Sequence, residues 1–179
     1  MTVESDAYSK HMNLKLAADE LGIKWQTLYS RLKSQGVKIT GDKLRYGSDR
    51  DKLSAKAESL FMQAVPSALC MNAIRWQSKY DFEVNGFKVD VKCARKRCSQ
   101  KRFPDKKSWS FSFKKQTLIC DFVCCFCLND ENETAKIILV PSEFFKGLQT
   151  VTVSCQGYSK WLDYAIDLNE IEPFFSSLK

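Results

Sequence analysis

Asn85 and Gly86 stand between two segments in which apolar and charged residues alternate, DFEV before them and FKVDVK after. An Asn-Gly pair in that setting calls for a two-residue type I′ hairpin, because both loop positions need a positive φ. The register then follows residue by residue. Val84 pairs with Phe87, Glu83 with Lys88, Phe82 with Val89, and Asp81 with Asp90. Alternation assigns Phe82, Val84, Phe87, Val89 and Val91 to a core face. Lys79, Asp81, Glu83, Lys88, Asp90 and Lys92 fall on the other face.

Glu83 and Lys88 are an ordinary cross-strand ion pair. Asp81 and Asp90 are not, because two carboxylates with Cβ atoms roughly 5 Å apart repel one another unless something compensates. A divalent cation between them is one answer. Mg²⁺ takes carboxylate oxygens and keeps several waters, and Mn²⁺ is expected to substitute for it. Lys92, two residues beyond Asp90, points at the same place, and a metal-bound water beside an ammonium makes a hydrolytic centre for phosphodiesters. The plainer alternative is a solvated face on which Lys79 and Lys92 offset the aspartates.

Ahead of the hairpin, residues 1–12 are polar and unpatterned and are expected to form a loose tail. Residues 13–40 carry two short helical stripes. Leu14, Ala17, Ala18 and Leu21 make the first, Gly22 breaks it, and Leu28 and Leu32 mark the second until Gly36. This is the pattern of a helix-turn-helix. The run LAADELGIKWQTLYSRLK also resembles the helix-turn-helix of many small bacterial DNA-binding domains. In such a unit Trp25, Gln26, Thr27 and Ser30 face base edges, with Arg31 and Lys33 near phosphates. A plain helical hairpin used for packing is the alternative. Residues 41–52, with Gly41-Asp42 and Gly47-Ser48, read as a linker or a small hairpin.

From residue 53 to 179 the pattern is one helix, then strands, then a partly helical end. Leu53, Ala57, Leu60, Phe61 and Ala64 share a helical face that Pro66 ends. KYDFEV, FKVDVKC, SWSFSF, LICDFVCCFCL and AKIILV are strand-like, and WLDYAIDLNEIEPFF is partly helical. The order indicates an α/β or α+β domain.

Between Lys92 and Lys107 there are eight Lys and Arg against one acid, Asp105, which accounts for the whole of the chain's net charge of +7. So local an excess favours a binding surface for an acidic partner, most often nucleic acid. Arg95, Lys96, Arg97, Lys101 and Arg102 are the residues expected to neutralise phosphates. His11 is the only histidine, so His-based metal sites and Ser-His or Cys-His nucleophile pairs are nearly excluded. The eight cysteines include no clean C-x-x-C pair: Cys124 and Cys127 have that spacing, but inside the strand-like run FVCCFCL. Cys124 and Cys125 alternate to opposite faces of a strand and read as small apolar residues. Asp121 in the same run is either a satisfied buried carboxylate or an accessory group near the site. With no apolar leader and no run long enough to span a bilayer, an intracellular, cytoplasmic protein with reduced thiols and no membrane partner is expected.

A helix carrying Glu58, then Asp81, then VDVK on the hairpin partner resembles the PD-(D/E)xK nuclease superfamily. SAKAESLF, DFEVNGFKVDVKCA, SFSF, CDFVCCFCL and IILVPSE also follow in the order of its intron-associated and phage-type members, with a layout like Holliday-junction resolvases and some homing endonucleases. The resemblance covers residues 54–143. It implies a restriction-endonuclease-like α/β fold, a mixed central sheet flanked by helices, behind a small N-terminal helix-turn-helix domain. It implies Glu58, Asp81 and Asp90 as metal ligands and Lys92 as the catalytic lysine. Tyr80 stands where the nominal motif has proline. The expected function is Mg²⁺-dependent endonuclease cleavage of DNA, with a homodimer expected for cutting both strands. The alternative is a non-catalytic helix-turn-helix regulator whose sheet domain dimerises or senses a ligand.

Overall fold

The structure, a computed structural model, describes residues 2–11, 13–37, 39, 48–74, 78–98, 104–113 and 119–178. The chain divides into two compact units, Met1–Lys52 and Leu53–Lys179.

Among the described residues, the first unit holds three whole helices, α1 (Val3–His11), α2 (Leu14–Glu20) and α3 (Trp25–Ser34). The Asn13 side chain caps α2 by accepting from the Lys15 and Leu16 amides at 2.9 and 3.0 Å. Gly22, at φ +65°, ends it, and the Ile23 amide bonds back to the Ala18 carbonyl at 3.0 Å. That is a Schellman closure, which needs a residue comfortable in the left-handed region. Ala17, Ala18, Leu28 and Leu32 are fully buried together with Ala7 and Tyr8.

Ala7 and Tyr8 belong to the segment expected to be a loose tail, and it is instead a helix. Two adjacent buried residues make no helical stripe, so pattern alone is silent; their packing on α2 and α3 orders the segment. Its ends are tied by charge. Glu4 meets Arg31 at 3.2 Å, and Glu20 pairs with both Lys10 and His11.

α4 runs Asp49–Ala64, most of it in the second unit, and starts earlier than its apolar stripe suggests. Ser48 and Asp51 cap each other: the Ser48 amide donates to Asp51 Oδ2 at 3.1 Å and the Asp51 amide to Ser48 Oγ at 3.2 Å. Residues 48–52 are therefore capped helix and not linker, while the expected hairpin at 41–47 lies outside the described residues. After Pro66 come a short strand β1 (Leu69–Cys70) and a four-residue helix α5 (Met71–Ile74).

The sheet strands are β2 (Phe82–Val84), β3 (Phe87–Arg95), β4 (Arg97–Cys98), β5 (Lys107–Ser112), β6 (Phe122–Leu128), β7 (Thr134–Pro141), β8 (Thr150–Ser154) and β9 (Ala165–Ile166), followed by helix α6 (Ile171–Ser177). Six strands form one mixed sheet in the order β1-β2-β3-β6-β7-β9. Only β3 and β6 are parallel; the other neighbours are antiparallel. The unit is α/β. The hairpin register is Phe82 with Val89, Glu83 with Lys88 and Val84 with Phe87, around Asn85 at φ 50° and Gly86 at φ 88°.

One face of this sheet carries helices. Phe82, Val84, Val89, Val91, Cys124, Phe126 and Leu128 pack there with Ala57 and Phe61 of α4 and Ile171 and Phe175 of α6. The other face is covered by a second, antiparallel sheet, β4-β5-β8, joined by Phe145 and Trp161 from the short 3-10 helices Ser142–Phe145 and Lys160–Tyr164. Trp109, Phe111, Phe113, Val151 and Val153 meet Val123, Cys125, Cys127, Ile138 and Val140 there. The Trp109 indole donates to the Leu128 carbonyl at 2.7 Å. Burial on both sides explains why FVCCFCL reads as a continuous apolar run. Its cysteines are free thiols, with Cys124 and Cys125 on opposite faces. Among the described residues, no helix is long and apolar enough to cross a membrane.

Candidate functional site

β2 ends at Phe82, so Asp81 lies one residue outside the ladder and is not the cross-strand partner of Asp90 in the expected sense. Its backbone lies in a bend that is still tied to its neighbours: the Asp81 amide donates to the Val89 carbonyl at 3.0 Å, and its carbonyl accepts from Met71 at 2.8 Å. The Val91 amide, which the shortened β2 leaves without a backbone partner, donates instead to Asp81 Oδ2 at 2.8 Å. The Asn72 side chain donates to Oδ1 at 3.1 Å. The repulsion inferred from the register therefore survives in another form, with the Asp81 carboxylate turned onto the β3 backbone beside Asp90.

Asp90 and Lys92 occupy the sheet face that β5 covers. Asp90 is only 7% exposed. Lys92 Nζ lies 2.7 Å from Asp90 Oδ2 and 5.5 Å from the centre of the Phe113 ring. The contact with Asp90 is an ion pair without hydrogen-bond geometry, so Asp90 Oδ2 is a buried oxygen lacking a hydrogen bond. Glu58 is half-buried on α4, with Ser54 Oγ at 3.5 Å from its carboxylate.

The charges act on one another. Asp81 is raised from its ordinary 3.8 to about 6, chiefly by burial and next by the charge of Asp90. Glu58 adds to the rise, while the Val91 amide and Lys92 oppose it. Cys120, behind Asp90, is pushed up to about 12 by burial and then by the Asp90 charge, so it stands there as a neutral thiol. The structure thus gathers Glu58, Asp81, Asp90 and Lys92 into one electrostatic neighbourhood.

Among the described residues, no three His, Cys, Asp or Glu side chains close around a point where a metal ion fits. The donor chemistry nevertheless suits a hard divalent cation. It offers carboxylates without thiolates, a buried Asp90 oxygen that meets the Lys92 ammonium without a hydrogen bond, and one carboxyl whose burial and acidic neighbours oppose its ionisation.

Other expected residues divide. Trp25 (48% exposed), Gln26, Thr27, Ser30 and Lys33 are exposed along α3; Gln26 and Ser30 lie across the helix from buried Leu28 and Leu32, whereas Trp25 is on their side. Arg31 is exposed too, but it reaches back to Glu4. In the basic segment, Arg97 is exposed, whereas Arg95 donates to Asn132 and Lys96 pairs with Asp130 at 3.3 Å. Those two hold the β6–β7 turn, and so are not simply free for phosphates. Lys101 and Arg102 lie outside the described residues. Asp121 is exposed just before β6 and accepts from the Lys88 amide at 2.8 Å, fastening β6 to β3. It is neither a buried carboxylate nor turned toward the site.

Asn72 and Phe113 touch the site without having been expected there. Asn72 sits in a stretch with no periodic signal, and Phe113 reads as core. No protein-family profile matches the chain, and no curated protein sequence is significantly similar to it.

Proposed function

We propose that the chain is a Mg²⁺-dependent endodeoxyribonuclease, that its second unit is a restriction-endonuclease-like core of PD-(D/E)xK type, and that the first unit binds DNA. The observation that carries this reading is the meeting of Asp81, Asp90 and Glu58 with Lys92 in a mostly buried setting, where Asp81 is raised by burial and then by its acidic neighbours. A surface hairpin gains nothing from such a group; a centre that holds a cation does. Asp81, Asp90 and Glu58 are the residues to hold Mg²⁺ or Mn²⁺, and the chemistry such an ion supplies is water activation and neutralisation of charge on the phosphodiester.

The protein's own groups do the rest. Lys92 offers an ammonium that hydrogen-bonds the attacking water or the developing phosphate charge, worth about 10²–10³-fold for one well-placed donor. Phe113 and Cys120 wall the site from below and keep that ammonium out of water. The exposed first turn of α3 supports DNA contact by Trp25, Gln26 and Thr27, and Arg97 supports a phosphate contact. Cutting both strands fits a homodimer.

A non-catalytic DNA-binding regulator is the second reading. It is favoured by the helical unit having its own complete core and by Lys92 resting on Asp90 as a structural ion pair. Incubation with supercoiled plasmid, linear duplex and branched junctions, in Mg²⁺, Mn²⁺ or EDTA, separates the two. The nuclease cuts at least one substrate with a divalent ion and none in EDTA, and Asp90→Asn and Lys92→Met lower the rate at least about 100-fold. Cleavage by those variants at the wild-type rate, or no cleavage of any substrate, leaves the regulator.

A further inference from the structure

The segment from β1 to α5 has no legible pattern in the sequence, yet it makes two of the contacts that hold Asp81. Met71 donates its amide to the Asp81 carbonyl at 2.8 Å, and Asn72 donates its side-chain amide to Oδ1 at 3.1 Å. With the Val91 amide on Oδ2, each carboxylate oxygen has one donor among the described residues, and the two donors come from different elements. β2 is too short to fix this residue by ladder pairing, because it stops at Phe82. Asp90 beside it repels it. A carboxylate that is repelled and outside the ladder turns away unless donors hold it.

We infer that Asn72 is a positioning residue: its side-chain amide, with the Val91 amide, clamps the Asp81 carboxylate facing Asp90 and so builds the cation-holding arrangement. This rests on the reading of Asp81 and Asp90 as cation ligands, although the two hydrogen bonds of the clamp are made by the protein's own groups. Each Asp81 oxygen spends one lone pair on its clamp donor and keeps the other for a cation. Asn suits the position. It donates without carrying a charge, whereas Lys or Arg would compete with the ion, and Asp would add to the repulsion.

The test uses the full chain, with Asn72→Leu, which matches the shape without the donor, and Asn72→Gln, which keeps a donor. In the metal-free protein the Val91 amide is followed by hydrogen exchange. Asn72→Leu frees the carboxylate and speeds exchange at Val91 roughly five-fold, as expected for loss of one hydrogen bond. Asn72→Gln restores most of the protection. Mn²⁺ binding, read by electron paramagnetic resonance, weakens about ten-fold or more in Asn72→Leu and recovers in Asn72→Gln. Thermal midpoints report that all variants are folded. Unchanged Val91 exchange in folded Asn72→Leu overturns the inference, whatever the wild type does to DNA. A response at Val91 in a wild-type protein that binds no Mn²⁺ and cuts nothing sinks the nuclease reading instead and leaves the clamp standing.

Discussion

The two faces of β3 are both buried, but they are buried differently. Val89 and Val91 point into an apolar core shared with α4 and α6. Asp90 and Lys92 point the other way, beneath the second sheet, and bring a carboxylate and an ammonium into contact with Phe113 and near Cys120. Replacing a residue on the first face loses area and packing. Replacing one on the second exposes an uncompensated charge to a low-dielectric wall, which is the costlier fault. Proteins seldom keep such a pair for stability, since apolar residues of similar volume do as well or better. The contrast therefore directs attention to chemistry on the charged face.

The sharpest comparison sets Lys92→Ala against Val91→Ala in urea unfolding at pH 8. Losing Lys92 strands the Asp90 charge and is expected to cost about 3–5 kcal/mol. Losing two methyl groups at Val91 costs about 1.5–2 kcal/mol. The pair Asp90→Leu with Lys92→Met should be neutral or stabilising while abolishing any cleavage. If Lys92→Ala proves no worse than Val91→Ala, the two faces are energetically alike and the contrast fails.

Acid-base linkage comes next. Asp81 titrates near 6 in the fold against an ordinary 3.8. Between those values the folded protein holds a proton that the unfolded chain has released, so metal-free stability falls as pH rises from about 4 to about 6 and then levels. The drop is at most about 3 kcal/mol. Unfolding curves for wild type and Asp81→Asn across that window should converge at pH 4 and separate at pH 7, with the variant more stable. Mg²⁺ should narrow the gap above pH 6 for the wild type alone. Parallel pH profiles would show that Asp81 is not held against its charge.

The smallest effect distinguishes the two faces through cysteine. Cys124→Ser puts an unpartnered hydroxyl into the apolar core, at about 1–2 kcal/mol. Cys120→Ser, in the field of Asp90, should cost less because the hydroxyl has a carboxylate near it. Equal thermal shifts in the two variants would mean that the second face is no more polar than the first.

What could be read in advance, and what could not, follows from the range over which each signal acts. The Asn85-Gly86 turn and the alternation around it specify register because the turn geometry and the pleat are local. The same holds for Gly22 between α2 and α3, and for the both-sided burial of Cys124 and Cys125. The buried side of α1 left no pattern, since Ala7 and Tyr8 depend on partners in α2 and α3. Thr150–Ser154 was not among the expected strands, though Val151 and Val153 alternate there, because a five-residue stretch is short and its burial depends on pairing with β5. The basic run between Lys92 and Lys107 is visible as charge, but the diversion of Arg95 and Lys96 to the β6–β7 turn depends on how distant segments meet.

By itself the sequence determined the hairpin, its register, the apolar face of β3 and the proximity of Asp90 to Lys92, because each is settled by neighbours within a few residues. Only the tertiary structure decided that the charged face lies under a second sheet, that β2 stops before Asp81, and that Asn72 and the Val91 amide take hold of its carboxylate. Those outcomes depend on which remote segments fold over β3, and desolvation, the force that sets Asp81 apart, exists only once they have done so.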